Sequence, residues 1–132
     1  MNIPLGVLHL SLVEEATRQI DAAIEALEAG HYDVALTLAG AAEGMIQRDG
    51  LHMFAYIKSA PRVLEEFSQK EWVATLNRER DWLKHGGQSM MTIEFGHAAF
   101  MIARAASKLE KWTTRMEQFK EWLIDNLDAI SH

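Results

Sequence analysis

At 132 residues the chain is long enough to bury a core without covalent or metal staples, and the absence of cysteine excludes disulfides, thiolate metal sites and cysteine nucleophiles. Its 48% apolar and 24% charged residues are those of a globular protein rather than a disordered one. The net charge of −6 is accounted for by residues 1–50, which hold two basic and eight acidic side chains, so broad sequence-independent binding to duplex nucleic acid is disfavoured.

One domain spanning residues 1–132 is expected from the length. The opening Met1-Asn2-Ile3-Pro4-Leu5-Gly6 has no basic n-region of a secretory signal. No apolar run reaches the ~18–20 residues that cross a bilayer, so the expectation is a cytoplasmic protein with no membrane partner.

The first helix has a readable start and stop. Ser11-Leu12-Val13-Glu14 is a capping box, and Val13, Ala16, Ile20, Ala23, Ile24 and Leu27 recur at helical spacing. Gly30 suits the left-handed position that closes a helix. A second helix is expected over residues 32–48. Its centre, residues 34–42, is apolar nearly all round and rich in small side chains, which predicts the buried middle of the fold. Gly40 and Gly44 each lower helix propensity by up to about 1 kcal/mol, and close packing is the expected compensation.

Gly50 punctuates the chain, a short helix is expected over residues 51–58, and residues 59–68 read as a connection around Pro61. Ser68-Gln69-Lys70-Glu71 is a second capping box, opening a helix that runs to His85 and stops at Gly86-Gly87. Farther on, Phe95, Ala98, Ala99, Ile102, Ala106 and Leu109 form a stripe with Thr92 as the expected N-cap. Thr114 is the expected cap of a final stretch whose inward face is Met116, Phe119, Leu123 and Leu127. The pattern is compatible with one helix or two over residues 95–127. No alternating pattern is long enough for a strand. The fold class is therefore all-α, an antiparallel up-down bundle of about five helices.

The most chemically specific feature is Arg80-Asp81-Trp82-Leu83-Lys84-His85. Residues five apart on an α-helix are roughly 140° apart, so unwinding of the last turn beside Gly86 is needed to bring Arg80 and His85 together. An arginine holds phosphate oxygens bidentately, and an imidazole titrates near neutrality, which suits phosphodiester chemistry. The plain alternative is a solvated helix end, where cations are favoured by the dipole. Glu43, among small residues, is a candidate site carboxylate or a buried acid paired with an arginine.

With these residues the chain resembles the HEPN superfamily (higher eukaryotes and prokaryotes nucleotide-binding), recognised by an arginine, a polar residue, a few variable positions and a histidine. Arg80, Asp81 and His85 match that pattern. Tyr32-Asp33-Val34-Ala35 leading to Ala41-Ala42-Glu43 is similar to the family's second helix with its inward acid, whereas Gln47 departs from the basic residue many members carry. Residues 36–46, 77–85 and 112–127 also look like a group of small bacterial proteins. The resemblance implies a dimer with Arg80 and His85 of both copies in a shared cleft, cleaving RNA without metal in active members and binding nucleotide or protein in others. Arg80 would hold phosphate, His85 would move the proton, and Asp81 or Glu43 would orient them. No cofactor is expected. The alternative is a non-catalytic helical module binding a partner protein.

Two Glu-x-x-His pairs, Glu28/His31 and Glu94/His97, carry the spacing used in di-iron bundles. The first crosses Gly30, where the helix should break. Glu94 is expected in a first helical turn, where the dipole alone favours an acid. Trp72, Trp82, Trp112 and Trp122 lack basic interleaving and read as core or interface residues rather than a base-stacking platform.

Overall fold

The computed structural model describes residues 1–46, 83, 85–87 and 89–126, and among these the chain is all-α with no strand. Four helices are described: α1 (Leu12–Glu28), α2 (Tyr32–Met45), α3 (Phe95–Ala106) and α4 (Thr114–Asp125). The expected helices over residues 51–58 and 69–82, with the Ser68-to-Glu71 box, lie outside the described residues.

α1 begins where its sequence requires. The Ser11 hydroxyl accepts from the Glu14 amide at 3.1 Å, and the Glu14 carboxylate accepts from the Ser11 amide at 3.2 Å. Together they satisfy two amides that the first turn leaves without helical partners. The stripe is buried from Ala16 through Ile20, Ala23 and Ile24, but Val13 lies in the exposed first turn beside Leu12. At the other end Gly30 takes φ +80°. Its amide donates to the Leu27 carbonyl at 3.0 Å, and the His31 amide donates to the Ala26 carbonyl at 2.9 Å. This pair of bonds is the Schellman closure, and it needs a residue tolerant of the left-handed region.

The chain therefore turns within three residues, and α1 and α2 pack along each other as a helical hairpin; α3 lies against both, and α4 touches α1 and α3. Half of the twenty buried apolar residues among those described are alanine, including Ala16, Ala23, Ala35, Ala39, Ala98 and Ala103. Such small side chains bring helix axes to the near end of the usual ~8–10 Å separation.

Among the described helices the most fully buried is α3, not α2. In α3 every residue from Ala98 to Ala106 except Arg104 is buried. In α2 the buried set is Ala35, Leu36, Ala39, Gly40, Ala42 and Glu43, while Val34, Thr37 and Gly44 are exposed. Gly44 in particular has nothing within 4 Å of where a Cβ would stand, so close packing does not account for it.

Residues 95–126 contain two helices. α3 starts after Glu94, whose extended backbone (φ −95°, ψ 154°) makes it the N-cap in place of Thr92. α4 starts one residue earlier than Thr114 would allow as cap: Thr113 is extended (φ −76°, ψ 164°), and its hydroxyl accepts from the Met116 amide at 3.2 Å. Between them the Trp112 indole N–H donates to the Ala106 and Leu109 carbonyls at 2.8 and 3.1 Å. The Ala106 carbonyl, at the end of α3, also accepts from the Leu109 amide at 3.0 Å. Lys120 sits 5.3 Å from the Trp112 ring, a cation–π contact that ties α4 to the same turn. Met116, Phe119 and Leu123 are the buried face of α4, as their spacing predicts; Leu127 lies outside the described residues.

Candidate functional site

His85 ends a helical turn and is exposed, while Leu83, two residues before, packs against the core. Gly86 and Gly87 follow with φ +73° and +116°, backbone conformations that L side chains rarely adopt. The pair of glycines thus stops the helix at His85 and leaves the imidazole facing solvent at a C-terminal end, where positive charge is favoured. Arg80 and Asp81 lie outside the described residues, so their placement relative to His85 is not part of this geometry.

Glu43 lies in the last turn of α2 and is only 5% exposed, the sole buried charged residue among those described. Its carboxylate lies 3.0 Å from an Arg104 guanidinium nitrogen and 2.7 Å from Lys108 Nζ. Lys108 also donates to the Glu43 backbone carbonyl at 3.1 Å. Arg104 and Lys108 are four residues apart at the end of α3, so both reach α2 from one side of the helix. A carboxylate removed from water requires such partners. The sequence reading expects an arginine here without naming it. The available signal is Arg104 itself, which with His97 is one of two polar residues in the otherwise apolar stretch from Phe95 to Ala106.

The two Glu-x-x-His pairs form no joint ligand set. Glu28 ends α1 and His31 precedes α2 across the left-handed Gly30, and Glu94 is a cap with extended backbone ahead of His97. No group of three or more metal-ligating side chains occurs among the described residues, and no described helix is long and apolar enough to cross a membrane.

A third feature is a cleft of about 450 Å³ where the C-terminal end of α1, the start of α2, the start of α3 and α4 meet. Its walls are Ile24, Leu27, Tyr32, Phe95, Phe119 and Trp122. Tyr32 and Phe95 meet at 6.3 Å between ring centroids, and Phe119 stacks on Trp122 at 6.0 Å. Glu28, Arg115 and Gln118 supply its polar lining, with Arg115 3.5 Å from the exposed Glu25. Nothing in the periodicity of the separate helices marks these residues as one surface, since they come from four elements. Of the two described tryptophans, Trp112 is half-buried and hydrogen-bonded, while Trp122 is 41% exposed at this cleft.

No protein-family model matches this chain, and neither a curated protein nor a solved structure matches it significantly.

Proposed function

We propose that this chain is a HEPN-like dimeric domain, an up-down bundle of about five helices, acting on or binding RNA or nucleotide through Arg80 and His85. The observation that carries the reading is His85 itself: an exposed imidazole at a helix end, followed by two left-handed glycines and anchored through Leu83. In the proposal Arg80 holds a phosphate oxygen, His85 moves a proton to or from the reacting oxygen, and Asp81 orients the pair. Glu43 contributes as a positioning residue by locking α2 against the end of α3 through Arg104 and Lys108. The chemistry of such a pair is metal-independent phosphodiester cleavage, or phosphate recognition without turnover.

The test is a matched cleavage assay in chelator, with wild type and the Arg80→Ala/His85→Ala variant on mixed structured and single-stranded RNAs. Chelator-resistant cleavage by wild type, lost by at least a hundredfold in a folded variant, is the expected outcome. Cleavage that persists in the variant, or RNA and nucleotide interactions that are the same in both proteins, would end the proposal.

A second reading is a non-catalytic module that binds a partner protein. The observation favouring it is the row of exposed apolar side chains from Met1 to Val13, together with the acidic balance of residues 1–50. It predicts complex formation without turnover and tolerance of substitution at Arg80 and His85.

A further inference from the structure

Residues 1–10 precede α1 without helix or strand, and their large apolar side chains face solvent. Leu5 is 98% exposed, Val7 80% and Leu8 70%, and the row continues through Leu12 and Val13 on the first turn of α1. The six large apolar side chains of residues 1–10 expose an area on the order of 800 Å², beyond the ~300–600 Å² of the largest patch on a typical monomer. It is comparable to the ~800 Å² that each partner contributes to a standard interface.

The same chain carries a matching surface, the aromatic cleft bounded by Ile24, Tyr32, Phe95, Phe119 and Trp122. Its volume of about 450 Å³ falls within the ~300–1,000 Å³ of sites that enclose a ligand. The acids beside it, Glu25 and Glu28, do not oppose the arm, because residues 1–10 contain no carboxylate.

Arm and cleft stand at opposite ends of α1, whose 17 residues separate them by roughly 25 Å. For the arm to fill its own cleft the chain would have to fold back along α1 at or just before Ser11. There the backbone is extended (φ −74°, ψ 166°), and both the hydroxyl and the amide are held in the capping box. A ten-residue extended arm spans roughly 33 Å, enough to reach a neighbouring molecule. We propose that residues 1–10 are an exchanged arm: the arm of each copy lies in the aromatic cleft of a second copy, reciprocally, closing a two-fold dimer. Such an exchange is self-complementary and stops at two chains. It shares the dimer with the HEPN-like reading but none of its RNA chemistry: a failed cleavage assay leaves the arm untouched, and a dimer indifferent to the arm substitutions leaves the RNA reading standing.

The test uses the full chain. Light scattering is expected to give twice the 14.9 kDa chain mass for wild type and one chain mass for Leu5→Asp/Leu8→Asp, with unchanged helical circular dichroism. Because the chain has no cysteine, Leu5→Cys and Gln118→Cys variants can be mixed and oxidised without background. A covalent dimer joining the two variants is expected, in far higher yield than from either alone. A monomeric wild type, a dimer that the aspartates do not weaken by at least tenfold, or a mixture that gives no such cross-link overturns the proposal. So does a Leu5→Cys/Gln118→Cys double variant that closes its bridge within one chain.

Discussion

Gly30 closes α1 with φ +80°, whereas Gly44 lies in α2 at ordinary φ with open space where a side chain would stand. The two should respond to alanine in opposite directions. Gly44→Ala removes backbone freedom from the unfolded chain at no steric cost and is expected to stabilise by about 0.5–1 kcal/mol. Gly30→Ala forces a Cβ into the left-handed region and is expected to destabilise by about 1–2 kcal/mol. Thermal unfolding of the two variants checks both signs; a Gly44→Ala protein that melts below wild type would show that position 44 has a partner surface.

Glu43 is the residue whose chemistry was easiest to anticipate and hardest to complete. That a carboxylate among alanines needs a cation is legible in the sequence. Which cation meets it depends on how α3 packs against α2, which charge spacing along the sequence does not encode. Removing the acid takes a close partner from two nearly buried cations, so Glu43→Ala is expected to cost roughly 3 kcal/mol. The triple replacement Glu43→Leu/Arg104→Met/Lys108→Met should recover most of that loss. Urea titration of the single and triple variants measures it, and a triple variant as weak as the single one would show that the cluster acts through something other than charge compensation.

At the scale of the element, helix ends were more legible than helix burial. The Ser11 box and the Gly30 stop follow from local chemistry, because their partners lie within five residues. The start of α4 was displaced by one residue because Thr113 and Thr114 are equally good caps in isolation. Tertiary structure chooses between them: the Thr113 hydroxyl donates to the Asp21 carboxylate of α1 at 2.7 Å while accepting from Met116. One hydroxyl thus caps α4 and pins it to α1. Thr113→Val is expected to destabilise by about 1–2 kcal/mol, and more than Ser11→Ala, whose exposed box is worth about 1 kcal/mol. Comparing the two in chemical denaturation tests the ranking, with equal losses ruling out the contribution of Asp21.

At the scale of the whole molecule, the helical class and the inward stripes of α1, α3 and α4 were legible because apolar spacing encodes them directly. The exchange of roles between α2 and α3 was not. Both helices read as apolar, and enclosure depends on how many neighbours a helix has, which no single segment encodes. The cleft was illegible for the same reason, being built from the ends of four elements. The exposed row from Met1 to Val13 had its apolar character in plain sight, but only the fold shows that these side chains face solvent.

The three-residue turn at Gly30 has a bearing on the order of events when the chain folds. Contacts between α1 and α2 join residues close in sequence, so closing that loop sacrifices little chain entropy, whereas the docking of α3 and α4 spans long separations. The hairpin is therefore expected to be structured in the transition state and the C-terminal pair to arrive after it. Ala39→Gly in α2 should then slow refolding, while Met116→Ala in α4 should chiefly accelerate unfolding. Stopped-flow chevrons of the two variants read this directly, and the reverse pattern would place the nucleus at the other end of the chain. A ribosome releasing this sequence would accordingly have a hairpin ready to receive α3 before α4 had been made.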